Sequence, residues 1–233
     1  MKKRGKKISV FVICFAIVGL GIFGAVRYMN DGKKAANEKK KVQEKGINSS
    51  EAWGEYLAER ASEDSDNGEG IEGDVYAEGK QAVITVEDMK QTIEYYTLQG
   101  ISEEEAKEQA YEYMKESEAL YQEALDQGYS VTDEEVHSYV ESLKEMMSSE
   151  ELDEISREQI DNVISGFGNE EEYWKYQEEV YQELLVSQKY VGDLQRKFYE
   201  DGANGQEEWI SYFENFKGKL VEEEDFQIVG ELK

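Results

Sequence analysis

Residues 102–136 read SEEEAKEQAYEYMKESEALYQEALDQGYSVTDEEV. Ser102 and Glu105 have the spacing of a capping box, in which a hydroxyl and a carboxylate each accept from the other's orphan backbone N–H. Ala106, Ala110, Tyr113, Ser117, Leu120 and Ala124 then recur at steps of three and four, which puts them on one helical face. Tyr111, Met114, Tyr121 and Leu125 widen that stripe. Gly128 falls just past the helix end, where positive φ is wanted. Thr132 and Glu135 form a second capping-box pair, and Val136, Tyr139, Val140, Leu143 and Met147 share the next face. The stretch predicts two amphipathic helices joined by a tight turn.

The same grammar extends in both directions. AVIT (82–85) reads as a short strand, and Thr85 caps a helix with Glu87 and Asp88 in its first turn, favourable for the helix dipole. That helix carries Met89, Ile93, Tyr96 and Leu98 and stops at Gly100. A weaker helix follows with Leu152, Ile155, Ile160, Val163 and Ile164. SGFGN (165–169) breaks the chain, and Asn169 to Glu172 restart it. The long helix beyond bears Tyr173, Gln177, Val180, Leu184, Val191, Leu194 and Phe198. After DGANG (201–205) a last helix presents Trp209, Phe213, Phe216 and Leu220. DFQIVG (225–230) reads as a short strand able to pair with AVIT, a two-stranded element joining the ends of the body. The fold class expected is mostly α.

Composition agrees with long helices. Pro is absent from the 233 residues, where ordinary usage of ~5% would give roughly twelve, and Pro breaks helix interiors. Aromatic residues make up 12% of the chain and can supply a core although 34% is charged. The net charge of −27 is unevenly placed. Residues 1–45 hold 12 Lys/Arg against 3 Asp/Glu, a balance of +9, and residues 46–233 hold 14 against 50, a balance of −36. Such an acidic body is unsuited to nucleic acid, whose phosphates need basic contacts. It keeps a solvated, self-repelling surface, or offers an acidic groove to basic clients. Cys14, the one cysteine, allows neither a disulfide within the chain nor a cysteine metal site.

MKKRGKK, residues 1–7, is expected to be a cytoplasmic basic N-terminus. Ile8 to Val26 carries no charge, and its length at ~1.5 Å per residue matches a ~30 Å hydrocarbon core. The best A-x-A-like candidate, Phe23-Gly24-Ala25, puts Phe where a small residue belongs, so residues 8–28 read as an uncleaved transmembrane signal-anchor rather than a secretory signal peptide. With the compact positive cluster inside, the body lies outside the cytoplasm of a bacterium. Residues 29–80, basic and then acidic with Gly and Ser, read as a flexible extracytoplasmic linker. Within it SSEAWGEYLAER (49–60) has the pattern of one short helix with Trp53, Tyr56 and Leu57 on one face. The helical domain is expected over residues 81–233.

VITVEDMKQTIEYYTLQG (83–100), followed by residues 101–145, resembles the N-terminal chaperone domain of the SurA and PrsA foldases. Val83-Ile84-Thr85, Leu120, Glu123, Ala124, Gly128, Val131, Thr132, Glu135 and Val136 fall where that family places its strand-like opening, its helix ending in an alanine and a glycine, and its capped restart. Residues 169–190 are similar to the family's following helix, and Trp209–Val229 to its terminal helix and closing strand. The resemblance spans about residues 80–230. It implies a membrane-anchored, SurA/trigger-factor-like chaperone domain that binds unfolded or secreted polypeptides. The family's parvulin prolyl isomerase domain has no room between these helices, and the histidines expected of a parvulin site are missing, His137 being the single one.

No reaction is legible. No P-loop, dinucleotide-binding glycine pattern or HExxH appears, and His137 has no partner for a metal or a nucleophile. Carboxylate pairs are too frequent to mark an acid–base site. The chain is thus expected to be no enzyme and to hold no cofactor or metal. The candidate client-binding residues are Tyr95, Tyr111, Tyr113, Met114, Met146, Met147, Tyr173, Trp174, Tyr176 and Tyr181. Tyr and Met adapt to varied apolar partners, and a Tyr ring is half-exposed at low cost because its hydroxyl stays wet. The bland reading of each is core packing. An alternative function is a helical adaptor or scaffold for one dedicated partner in an envelope or secretion complex.

Overall fold

The computed structural model of the chain describes residues 49–62, 75–148, 152, 154–200, 202 and 205–232. Among them are seven helices and three strands. Helix α1 covers residues 49–62. Strands β1 (Val75–Glu78) and β2 (Val83–Thr85) form a hairpin, and α2 (Val86–Leu98), α3 (Glu103–Asp126), α4 (Asp133–Ser148), α5 (Glu154–Phe167), α6 (Glu170–Glu200), α7 (Gln206–Glu224) and β3 (Gln227–Ile228) follow. No described helix is long and apolar enough to cross a membrane. The expected cytoplasmic end and signal-anchor, residues 1–28, lie outside the described residues, as does the linker up to residue 48.

The capping expected from sequence is built at most helix starts. Thr85 Oγ1 accepts from Asp88 N at 3.0 Å while an Asp88 carboxylate oxygen accepts from Thr85 N at 3.0 Å, so both orphan donors are satisfied in a buried box. Thr132 and Glu135 exchange the same pair at 3.2 and 2.8 Å. Asn169 Oδ1 accepts from Glu171 N and Glu172 N at the head of α6. The Ser102 box is only half formed. Ser102 Oγ accepts from Glu105 N at 3.4 Å, but the Glu105 carboxylate turns to Gln109. Gly128 has φ of 84°, the left-handed conformation that closes α3. Thr85→Ala should lower stability by about 1–2 kcal/mol, since it orphans a buried donor at a helix head. A urea midpoint that fails to move would contradict that role.

The sheet is antiparallel with order β2-β1-β3. Its register pairs Ala77 with Ile84 on one side and with Ile228 on the other. The C-terminal strand therefore pairs with VYAE (75–78) and not with AVIT, as the sequence suggested. The two-stranded closure is a three-stranded one. α7 fastens the hairpin, because Gln81 N and Ala82 N both donate to Glu224 Oε2, at 2.8 and 3.0 Å.

Three groups of buried residues fill the body. Tyr76, Ala77, Ile84, Met89, Ala110 and Met114 join the sheet to α2 and α3. Ala119, Leu120, Ala124, Val186, Tyr190 and Leu220 join α3, α6 and α7. The largest group holds Trp53 and Leu57 of α1 against α4, α5 and α6. Here the body takes in residues that the sequence assigned to the linker. α1 and β1 are parts of it, and the start expected at residue 81 moves N-terminal. The reason is local. Gly54 and Gly166 lie at the α1–α5 crossing, and a Cβ at Gly54 would stand 2.8 Å from the Val163 carbonyl carbon. Two glycines let the helix backbones touch, so a short helix with one aromatic face docks fully.

Candidate binding surfaces

The structure separates the expected client-binding residues. Met114, Tyr173, Trp174, Tyr176 and Tyr181 are buried. Tyr173, Trp174, Tyr176 and Tyr181 belong to the largest core group, with Tyr95, Tyr113 and Met147 packed half-buried against it. Met114 lies in the sheet-side core beside half-buried Tyr111. Met146 is exposed. These residues do not converge on one open cradle. They sit on the inward face of α6, at the α2–α3 contact or, for Met146 and Met147, at the end of α4, and only tertiary packing distinguishes an inward from an outward aromatic. Burial pushes the Tyr95 hydroxyl up to about 12, with the neighbouring Tyr96 adding to it.

Two of them do meet at a surface. Met147 and Trp174, with Leu152, Ile160 and Ile164, line a groove of about 450 Å³ between the end of α4, α5 and the start of α6. Lys144 Nζ stands 5.3 Å from the centre of the Trp174 ring, and Arg157 Nη1 donates to the Met147 carbonyl. The groove has apolar walls and a rim of mixed charge, with Lys144 and Arg157 offset by Asp161 and Glu170.

A larger aromatic surface was not among the expected site residues. It lies where the end of α6 meets the start of α7. Phe198 packs against Trp209 at 5.5 Å and Tyr212 at 4.8 Å between ring centres. Trp209 stacks on Phe213 at 5.3 Å, and Tyr212 is coplanar within 11° with Phe216 at 6.3 Å. Trp209 is buried, but Tyr199 and Tyr212 stay 38% and 39% exposed. Glu200, Glu207, Glu208 and Glu214 are exposed on the same two helices, outnumbering the exposed Lys197 and Lys219. Lys217, buried, closes one side by pairing with Glu116 at 2.6 Å and Glu214 at 3.0 Å. The signal was present in sequence as aromatics at 209, 212, 213 and 216. Their spacing marks one helical face, wider than the three rings assigned to the core.

No group of three His, Cys, Asp or Glu among the described residues is placed to hold a metal ion. His137 is exposed on α4, with Nδ1 2.8 Å from Glu178 Oε1. Comparison with protein-family models, with curated proteins and with solved structures finds no match for this chain.

Proposed function

We propose that this chain is a membrane-anchored chaperone-like protein on the extracytoplasmic side of a bacterium, holding unfolded or secreted polypeptides by weak contacts without catalysis. The reading carries over the resemblance of residues 80–230 to the SurA and PrsA chaperone domain, without its isomerase. The observation that supports it most is the aromatic surface of α6 and α7, whose exposed Tyr199 and Tyr212 stand on a continuous bed of rings. Exposed contiguous apolar surface on a soluble face marks a binding site. The acids around it favour basic clients and disfavour self-association, because like charges in proximity repel.

The test uses the full chain in nanodiscs of zwitterionic lipid. Aggregation of reduced, unfolded lysozyme, a basic client, is followed by light scattering. Slowing is expected near equimolar ratio, with much less effect on reduced α-lactalbumin, an acidic chain. The double variant Tyr199→Ser, Tyr212→Ser should lose most of the protection while keeping its helical circular dichroism at the assay temperature, since neither ring is fully buried. Unchanged aggregation at several-fold excess of the chain would reject the reading.

A further inference from the structure

The largest exposures of big apolar side chains among the described residues are at the sheet edge, where Ile228 is 54% and Val229 58% exposed. Among the described residues β3 is an outer strand with no neighbour beyond it. Its backbone is half engaged. Gln227 faces Glu78, Ile228 faces Ala77, and Val229 N donates to Tyr76 O at 2.9 Å. Antiparallel ladders turn the peptide groups of successive residues to alternate sides. Ala77 directs its own toward Ile84 of β2, so Ile228 directs its N–H and C=O away from β1, to the open edge. Neither Pro nor Lys stands on the strand to block pairing, as edge strands commonly require.

We propose that β3 receives an extended segment of the client as a fourth strand, the Ile228 peptide groups bonding its backbone. This deepens the polypeptide-binding reading above and rests on it. Charge selects the occupant. Glu222, Glu223, Glu224 and Asp225 run into the strand and Glu231 follows it. A second copy would bring the same acids against themselves, on a body whose residues 46–233 hold 14 Lys/Arg against 50 Asp/Glu. The strand that fits alternates apolar side chains with Lys or Arg. The main-chain bonds supply affinity and the side chains selectivity. α7 runs from exposed Tyr212 of the aromatic surface to its end at Glu224 beside this edge, about 18 Å at helical rise. Roughly six extended residues cover that distance, so one unfolded client reaches both.

The probe is a fluorescent peptide alternating Val and Lys, and a twin N-methylated at alternate residues. The twin keeps side chains and charge but lacks the donors along one edge. Anisotropy is measured with the full chain in zwitterionic nanodiscs. The plain peptide should bind at least about tenfold more tightly than its twin, the worth of one or two backbone hydrogen bonds. Ile228→Pro removes the outward N–H and leaves the bonds of Val229 to β1, so it should reduce the plain peptide to the affinity of the twin. Equal binding of both peptides to the unaltered chain overturns strand addition and leaves the polypeptide-binding reading standing. Binding of neither removes both. A concentration-dependent dimer that Ile228→Pro dissociates assigns the edge to a second copy and overturns the proposal.

Discussion

Gly166→Val is expected to lift α1 from the body and to lower stability by about 3 kcal/mol or more, as overpacking against unyielding backbone does. A Cβ at Gly166 would lie 2.9 Å from Glu55 N and closer still to the Glu51 carbonyl oxygen. Neither neighbour is a flexible side-chain end, so relief requires moving a helix. α1 would leave, exposing Trp53 and Leu57 and uncovering their partners on α5 and α6. The urea midpoint should fall and Trp53 emission should shift to the red. Gly192→Ala is the contrast, because it sits within α6 with open space at the added Cβ. Ala in place of an exposed helical Gly should stabilise by roughly 0.5–1 kcal/mol. Equal effects of the two substitutions would show that the close approach of α1 and α5 does not hold in solution.

Alkaline solution is expected to unfold the chain cooperatively as its tyrosines ionise. Burial, the leading cause at each, raises Tyr95 to about 12 and also raises Tyr96, Tyr121 and Tyr190. The nearby carboxylates Glu183 and Glu118 add to the shift at Tyr121, and Glu123 at Tyr190. All these folded-state values lie above the ordinary tyrosine value of 10.0. Between the unfolded and folded values the unfolded chain binds fewer protons, so stability must fall as pH rises. The contribution is fully present below pH 10 and is lost as pH climbs through the folded values. Each unit of separation is about 1.4 kcal/mol, which makes Tyr95 alone worth about 2–3 kcal/mol. Tyrosinate absorbance and helical circular dichroism should change together, above pH 10. Tyr95→Phe should move that transition to higher pH. Smooth ionisation near 10 with helices intact would refute the burial of these hydroxyls.

Much of the helical grammar was readable in the chain. Thr85, Thr132 and Asn169 cap where their side-chain chemistry required, and Gly128 ends α3 in the left-handed conformation. These are effects of a few neighbouring residues, which a local reading captures. β1 escaped because VYAE is four residues inside an acidic, Gly-rich stretch, and its value lies in Tyr76 and Ala77 being buried against α2 and α3. The half-formed Ser102 box shows the same limit, since Glu105 bonds Gln109 four residues on instead of the cap.

By itself the sequence determined the helical class, the positions of most helix boundaries and the strongly acidic character of the body, because caps, glycine stops, periodicity and charge are properties of neighbours along the chain. Tertiary structure decided which aromatics face inward. It buried Tyr173 and Tyr181, left Tyr199 and Tyr212 at the surface, seated α1 in the core through Gly54 and Gly166, and set β3 against β1. A helical face is apolar whether it meets another helix or solvent, and only the packing of distant segments selects between them.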